Sequence, residues 1–139
     1  MARTRSNSFE LPELSEYQEQ VKVFEWAEIA QTTYPELEML TGSLNGVRLS
    51  IGAAVKAKKA GLKKGYPDIG LDVRRSSYLE PLRQFSGLRI ELKKANGGKL
   101  SIEQVWWFNK LRDQGFRAVC CWGSDRAIEE IKNYLEGKF

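Results

Sequence analysis

Residues 88–135 alternate twice between a strand pattern and a helix pattern, and this order constrains the fold more than any other feature. Strand patterns cover Leu88–Lys93 and 116–122, and helix patterns cover 101–114 and Ser124–Leu135. Strands that alternate with helices are typical of α/β domains. We therefore predict an α/β domain with a small mixed β-sheet flanked by helices. The nearly continuous apolar character of 116–122 predicts a central place in that sheet.

Upstream of residue 88 the patterns are more varied. We first predict a helix that starts within 12–15 and runs to about 33. An Asn-Gly turn and a strand-like stretch follow within 41–50, and then a basic helix over 53–60 that Gly61 stops. A strand over 68–73 and a hairpin loop over 74–84 complete this half of the chain. The later helix over 101–114 has a marked start, because Ser101 and Gln104 form an S-x-x-Q capping box. Residues 1–12 are predicted to be a flexible tail, and 13–139 a single domain.

The strand pattern near residue 90 presents a carboxylate and an ammonium together. Strict alternation places Arg89, Glu91 and Lys93 on one face of the strand. Asp68 follows Pro67 at the start of another strand, so pairing of the two strands would bring both carboxylates together. Two adjacent carboxylates do not both ionise without a cation between them, and oxygen-only ligation predicts Mg²⁺ or Mn²⁺. Such a site suits phosphodiester hydrolysis, in which Lys93 orients water and stabilises charge on phosphorus.

Each of these residues also has a structural interpretation. An E-x-K pair on a strand is ordinarily a solvated ion pair, and a Pro-Asp pair is ordinarily a turn. Glu16 falls in the apolar stripe of the first helix, deeper on the helical wheel than Glu19, and either faces a partner at the sheet or escapes to solvent. Gln104 is a capping residue that could also serve the site. Trp106 and Trp107 are interpreted as packing residues rather than base-stacking ones.

Composition narrows the chemistry further. The chain of 139 residues contains no histidine, which excludes His-ligated zinc sites and His-based nucleophilic machinery. Its net charge is only +4, but six basic residues and no acidic one lie between Asn45 and Pro67. They are Arg48, Lys56, Lys58, Lys59, Lys63 and Lys64. This segment is a candidate phosphate-binding surface.

The two cysteines and the N-terminal sequence indicate the cellular compartment in which we expect the protein. Cys120 and Cys121 are neighbours on a predicted strand and point to opposite faces, so we expect buried free thiols in a reducing compartment. The N-terminus lacks the apolar core of a signal peptide, and no apolar run is long enough to span a membrane. We expect a cytoplasmic protein, in the host cytoplasm if a phage encodes it, with no membrane partner.

Several motifs occur together in a characteristic order. They are E-x-x-x-Q at 16–20, Asn-Gly at 45–46, a basic helix running into G-x-P-D at 65–68, I-E-L-K-K at 90–94, G-G-x-L-S-x-x-Q at 97–104, and a closing G-F-x-A-V strand with a terminal helix. This set resembles the virus-type replication-repair nuclease domain, VRR-NUC, a branch of the PD-(D/E)xK nuclease superfamily. The resemblance covers roughly 15–135 and implies a restriction-endonuclease-like core.

The resemblance also implies roles for individual residues. Asp68, Glu91 and the carbonyl of Leu92 would bind the metal, Glu16 would complete its shell, and Lys93 would be the catalytic lysine. Gln104 would orient Lys93 or substrate, and Asn45 would sit near the site, although Leu44 stands where the family commonly has Pro. The expected DNA-contacting residues are Lys56, Lys59, Lys63, Lys64, Asn45 and Lys94.

The function implied is a Mg²⁺- or Mn²⁺-dependent DNA endonuclease of the stand-alone phage or bacterial type. The leading hypothesis is a DNA-repair homodimer that is selective for branched DNA, similar to Holliday-junction resolvases. A restriction-like, nicking or flap nuclease is the alternative among enzymes. A DNA-binding protein that keeps the fold without catalysis is the alternative from another class.

Overall fold

A computed structural model describes residues 13–139 of the chain. The helices are α1 (Glu16–Ala30), α2 (Ile51–Lys59), α3 (Ile102–Asp113) and α4 (Ser124–Leu135), with 3-10 turns at Pro35–Met39 and Leu44–Gly46. The strands are β1 (Leu40–Gly42), β2 (Ile69–Leu71), β3 (Arg75–Ser76), β4 (Gln84–Phe85), β5 (Leu88–Lys93) and β6 (Arg117–Trp122). The predicted tail, residues 1–12, lies outside the described residues.

Four strands form a mixed sheet in the order β1-β2-β5-β6. The first two pairings are antiparallel, and β5 pairs with β6 in parallel, with α3 as the crossover between them. The predicted α/β class with a mixed sheet flanked by helices is therefore confirmed. The central place predicted for β6 is wrong, because β6 lies at the edge of the sheet formed by the described residues. Its apolar side chains are explained by helices that pack against it, α3 and α4.

The two faces of the sheet have different environments. Apolar side chains of β5, such as Ile90, are buried with residues of α1 and α4, among them Val23 and Ile131. On the α3 side, Phe108 and Leu111 form a second, smaller cluster with Ala118 of β6. Alternation along β5 therefore directs its apolar residues to the larger core and its charged residues toward α3.

The termini of α1, α3 and α4 follow local sequence signals closely. Ser15 caps α1 in a capping box with Gln18, and α1 ends at Ala30, three residues before the predicted end. The predicted capping box of Ser101 and Gln104 at the start of α3 is confirmed. The bounds predicted for α4 are also confirmed.

The region around the Asn-Gly turn departs from the prediction. The short strand β1 lies before Asn45 rather than after it, and residues 47–50 form no strand. β1 forms there because Leu40 pairs with Leu71 of β2, a long-range contact without a local signal. The basic helix α2 forms as predicted, but none of its residues is buried. β3 and β4 confirm the hairpin predicted between β2 and β5.

Cys120 and Cys121 are free, with Cys121 buried and Cys120 half-buried. No helix within residues 13–139 is both long enough and apolar enough to cross a membrane.

Candidate active site

The antiparallel pairing of β2 with β5 brings Asp68 to Glu91. Ile69 pairs with Ile90, so Asp68, one residue before β2, lies next to Glu91 on the following register position. Asp68 Oδ2 accepts a hydrogen bond of 2.8 Å from the backbone N–H of Leu92. Its own carbonyl accepts a 2.7 Å bond from the N–H of Ser43, which anchors this backbone to the end of β1. The strand pairing therefore produces the carboxylate pair predicted from the sequence.

All three central residues are buried. The exposed fraction is 6% for Asp68, 3% for Glu91 and 8% for Lys93. Lys93 Nζ lies 3.8 Å from Glu91 Oε1. The interpretation of Glu91 and Lys93 as a solvated surface ion pair is therefore wrong. Burying three ionisable groups together destabilises the fold, which favours a functional role for them over a purely structural one.

Gln104 connects α3 to β5. Its Oε1 accepts a 2.8 Å hydrogen bond from the N–H of Ser101, which completes the capping box. Its Nε2 donates a 2.6 Å bond to Glu91 Oε1. One side chain thus fixes both the start of α3 and the carboxylate of Glu91. Its direct partner is Glu91, whereas the sequence predicted Lys93 or substrate.

Burial raises the pKa of both carboxyl groups. The pKa of Glu91 rises to about 9, mainly because the side chain is desolvated and secondly because the charge of Asp68 lies close by, with Lys93 opposing the shift. Burial also raises the pKa of Asp68, although the hydrogen bond from Leu92 N–H partly offsets it. In the protein without a cation, Glu91 therefore holds a proton at neutral pH.

This donor set fits a hard divalent cation. Two adjacent carboxylates with raised pKa values provide the oxygen ligands that Mg²⁺ and Mn²⁺ prefer, and Mg²⁺ is commonly held by one or two carboxylates plus substrate phosphates. Within residues 13–139, no group of three or more His, Cys, Asp or Glu side chains is gathered closely enough to hold a metal ion. The protein oxygens in place are thus those of a two-carboxylate site, and the carbonyl of Leu92 and the carboxylate of Glu16 stay predicted ligands.

The order of burial expected for Glu16 and Glu19 is reversed, although Glu16 lines the candidate site. Glu16 is half-buried and lines the same cavity as Asp68 and Glu91, where its charge contributes to raising their pKa values. Glu19 is the more deeply buried residue, at 6% exposed, so the helical-wheel ranking is wrong. Its Oε2 accepts a 2.6 Å hydrogen bond from Ser124 N–H at the start of α4, where Gly123 provides no side-chain cap. Glu19 is buried because it caps another helix.

The cavity that contains Asp68 and Glu91 is lined by Asn45 and by one of the predicted DNA-contacting lysines. Asn45 Nδ2 donates to the carbonyls of Lys63 and Tyr66, at 3.0 and 3.1 Å, and so holds the loop before Asp68. The cavity, about 260 Å³, is lined by Glu16, Asn45, Lys64, Gly65, Tyr66, Asp68, Glu91, Lys93, Ser101 and Gln104. Of the predicted DNA-contacting residues, Asn45 and Lys64 line it. The others, Lys56, Lys59, Lys63 and Lys94, are exposed outside it.

Tyr66 is a cavity residue that the sequence reasoning missed. Its ring packs edge-on against Trp107 at 4.9 Å, and its hydroxyl accepts a 3.1 Å bond from Arg89 Nε. Arg89, on the same face of β5 as Glu91, is directed to Tyr66 and Asp72 instead of the carboxylate pair. The position of Tyr66 between Gly65 and Pro67, two residues before Asp68, was the available signal.

Comparison with known proteins gives a match among the solved structures. Neither the protein-family models nor the curated proteins match the sequence. A solved structure described as a VRR_NUC domain protein superimposes with a TM-score of 0.71 and 27% sequence identity, covering 92% of this chain and 93% of that one. The resemblance inferred from the motifs is thereby confirmed, since the two chains share the fold over nearly their whole length.

Proposed function

We propose that this chain, with its VRR-NUC fold and motifs, is a divalent-metal-dependent DNA endonuclease that hydrolyses phosphodiester bonds. One observation carries the proposal: Asp68, Glu91 and Lys93 are buried together at the base of a cavity whose rim includes Lys64. A buried carboxylate pair with a raised pKa for Glu91 is a high-energy arrangement in the protein alone. Cation and substrate binding would relieve it.

The residues of the chain divide the chemical work among them. Asp68 and Glu91 would hold Mg²⁺ or Mn²⁺, and the ion would supply Lewis acidity to the phosphodiester and to the attacking water. Lys93 orients that water and offsets the negative charge that develops on phosphorus. Gln104 keeps the Glu91 carboxylate in position through its 2.6 Å hydrogen bond.

Substrate binding in this proposal uses the basic segment before Asp68. Lys64 lines the cavity, and Lys63 is the residue before it in the chain. Helix α2 presents Lys56 and Lys59 to solvent. Phosphate contacts of this kind bind any DNA sequence and weaken as salt concentration rises. They suit selectivity for DNA shape, and a two-fold homodimer would match the two-fold symmetry of a four-way junction. We therefore propose branched DNA as the preferred substrate.

Cleavage assays with matched variants test the activity. We expect Lys93→Ala and Asp68→Ala to abolish Mg²⁺- or Mn²⁺-dependent cleavage while DNA affinity is largely retained. Lys132→Ala, an exposed lysine replacement on α4, is the control and should cleave like the original protein. Undiminished cleavage by either site variant would remove this site assignment.

Substrate and assembly need separate measurements. Cleavage rates on a four-way junction, a flap and a matched linear duplex should rank the junction first. Equal rates on all three would contradict the selectivity for branched DNA. Sedimentation should show a dimer, and a monomer at cleavage-competent concentration would contradict the proposed assembly.

A further inference from the structure

A second depression, which we call the Trp groove, lies beside the active-site cavity. It is lined by Lys63, Lys64, Ile102, Glu103, Trp106 and Trp107 and has a volume of about 470 Å³. This volume falls within the range of sites that bind small organic molecules or single cofactor rings. Lys64 lines both depressions, so the Trp groove adjoins the active site directly.

The two tryptophans of the Trp groove have different structural roles. Trp107 Nε1 donates a 3.2 Å hydrogen bond to the carbonyl of Lys64, and the ring packs edge-on against Tyr66. Trp106 packs edge-on against Trp107 with 5.1 Å between ring centroids, and its side chain stays 52% exposed. The sequence-based packing interpretation therefore holds for Trp107 only. Trp106 presents aromatic surface to solvent.

The charges around Trp106 favour a nucleotide over an apolar ligand. Glu103 is neutralised by an exposed ion pair with Lys64 at 3.5 Å, and among residues 13–139 Lys63 has no ion-pair partner. Lys110 Nζ lies 5.6 Å from the centre of the Trp106 ring. An exposed indole surrounded by lysines combines a stacking surface for a base with cations for its phosphate.

The Trp groove is held at a fixed position relative to the catalytic residues. Gln104, hydrogen-bonded to Glu91, and Trp106 are two residues apart on α3, a regular helix. A base on Trp106 would thus fix the register of its strand across the active site. In a matched duplex every base is stacked between its neighbours, so only an unpaired or extruded base could reach the ring.

We propose that the Trp groove binds one unpaired base of the DNA substrate by stacking on Trp106, with the flanking phosphate at Lys63 and Lys64. Cleavage is thereby directed to phosphodiester bonds beside nucleotides whose base is unpaired or is extruded at a branch point. The direction of cleavage rests on the proposed nuclease function, whereas the binding of the base does not.

Binding without catalysis tests the base-binding site first. The full chain in EDTA is titrated into two labelled duplexes of equal length, one fully matched and one with a single unpaired thymine. Loss of one base-aromatic stack weakens binding by roughly 5- to 150-fold. We expect Trp106→Ala to lose about tenfold or more in affinity for the duplex with the unpaired base, with unchanged affinity for the matched one.

Two further variants keep this result interpretable. Trp106→Phe retains an aromatic ring and should recover part of the affinity, whereas Tyr78→Ala removes an aromatic side chain that is 67% exposed outside the groove and should change nothing. Unchanged matched-duplex binding shows that each variant is folded. Equal affinity of Trp106→Ala and the original protein for the unpaired-base duplex would overturn the proposal.

Cleavage mapping with Mn²⁺ then separates the two proposals. Cuts clustered beside the unpaired thymine, and scattered in Trp106→Ala, support the directing role. Identical cleavage patterns in both proteins overturn it. If the original protein cuts no DNA but Trp106→Ala loses the binding preference, the nuclease function fails while the base-binding site stands.

Discussion

The carboxylate pair should make the protein less stable than it could be when no divalent cation is bound. Asp68→Asn tests this, because the asparagine carbonyl can still accept the 2.8 Å hydrogen bond from Leu92 N–H. Its amide group can donate to an ionised Glu91, whereas the charge of Asp68 opposes that ionisation. The substitution changes one charge and almost no volume. We therefore expect Asp68→Asn to stabilise the cation-free protein.

The pKa of Glu91 sets an upper limit on the gain. This pKa rises from 4.5 to about 9. At about 1.4 kcal/mol per pH unit, the free energy of unfolding at pH 8 is therefore about 5 kcal/mol lower than it would be with an exposed glutamate at this position. Burial is the largest cause of the rise and the charge of Asp68 only the second. Asp68→Asn should therefore recover only a part of this, on the order of 1 kcal/mol at pH 8, or roughly 3 °C in Tm for a domain of this size.

The dependence on pH has a definite sign. Below pH 4.5 glutamate 91 is protonated in both the folded and the unfolded state, and the stability associated with that proton is fully present. As the pH rises from 4.5 to about 9, the unfolded chain releases the proton while the folded protein retains it, so this stability is progressively lost. Because Asp68→Asn lowers the pKa of Glu91 in the folded state, the gain should appear in the upper part of this window, as the pH approaches 9.

Thermal unfolding in EDTA between pH 5 and 9, followed by circular dichroism, measures this. Asp113→Asn makes the same chemical change at an exposed position of α3 and should shift stability by less than about 0.5 kcal/mol. Added Mg²⁺ or Mn²⁺ should raise the Tm of the original protein and leave Asp68→Asn nearly unchanged. A lower Tm for Asp68→Asn at pH 8 in EDTA would refute the reasoning.

Three further predictions concern other contacts. Glu19→Ala removes the 2.6 Å acceptor at the start of α4 and should cost about 2 kcal/mol in urea unfolding, whereas Glu28→Ala, exposed on the same helix, should be nearly neutral. Gly65→Ala would hold an alanine at a φ of +85° and place its methyl group 2.7 Å from a side chain of α3. Both the Tm and the cleavage rate should therefore fall, and unchanged values would contradict the close packing. Replacing Lys63 and Lys64 by alanine should flatten the dependence of DNA affinity on salt by about one to two units of slope, and an unchanged slope would show that they contact no phosphate.

Local sequence signals predicted the elements whose ends are defined by short-range chemistry. The capping box of Ser101 and Gln104 marked the start of α3, and alternation in β5 separated Ile90 from Glu91. The site could be predicted in part for the same reason, since Glu91 and Lys93 share a strand face two residues apart. Contacts between distant segments had no such signal. The edge position of β6 and the pairing of β1 with β2 depend on which strands meet.

Glu19 shows most clearly where periodicity fails. A helical wheel ranks burial by the angle to the apolar residues of the same helix, and it placed Glu16 deeper than Glu19. The structure buries Glu19 because α4, 105 residues further along the chain, begins beside it with an uncapped N–H. No pattern within α1 contains that partner.

The sequence by itself determined which residues form strands and helices near the site, and that any catalysis must proceed without histidine. It did so because helix caps, alternation and composition act over a few residues. The tertiary structure alone decided that Asp68 meets Glu91, that Gln104 fixes it, and that Trp106 stays exposed while Trp107 is covered. These outcomes depend on strand register and helix packing, which bring distant segments together. The local sequence of one segment does not indicate which other segment it will contact.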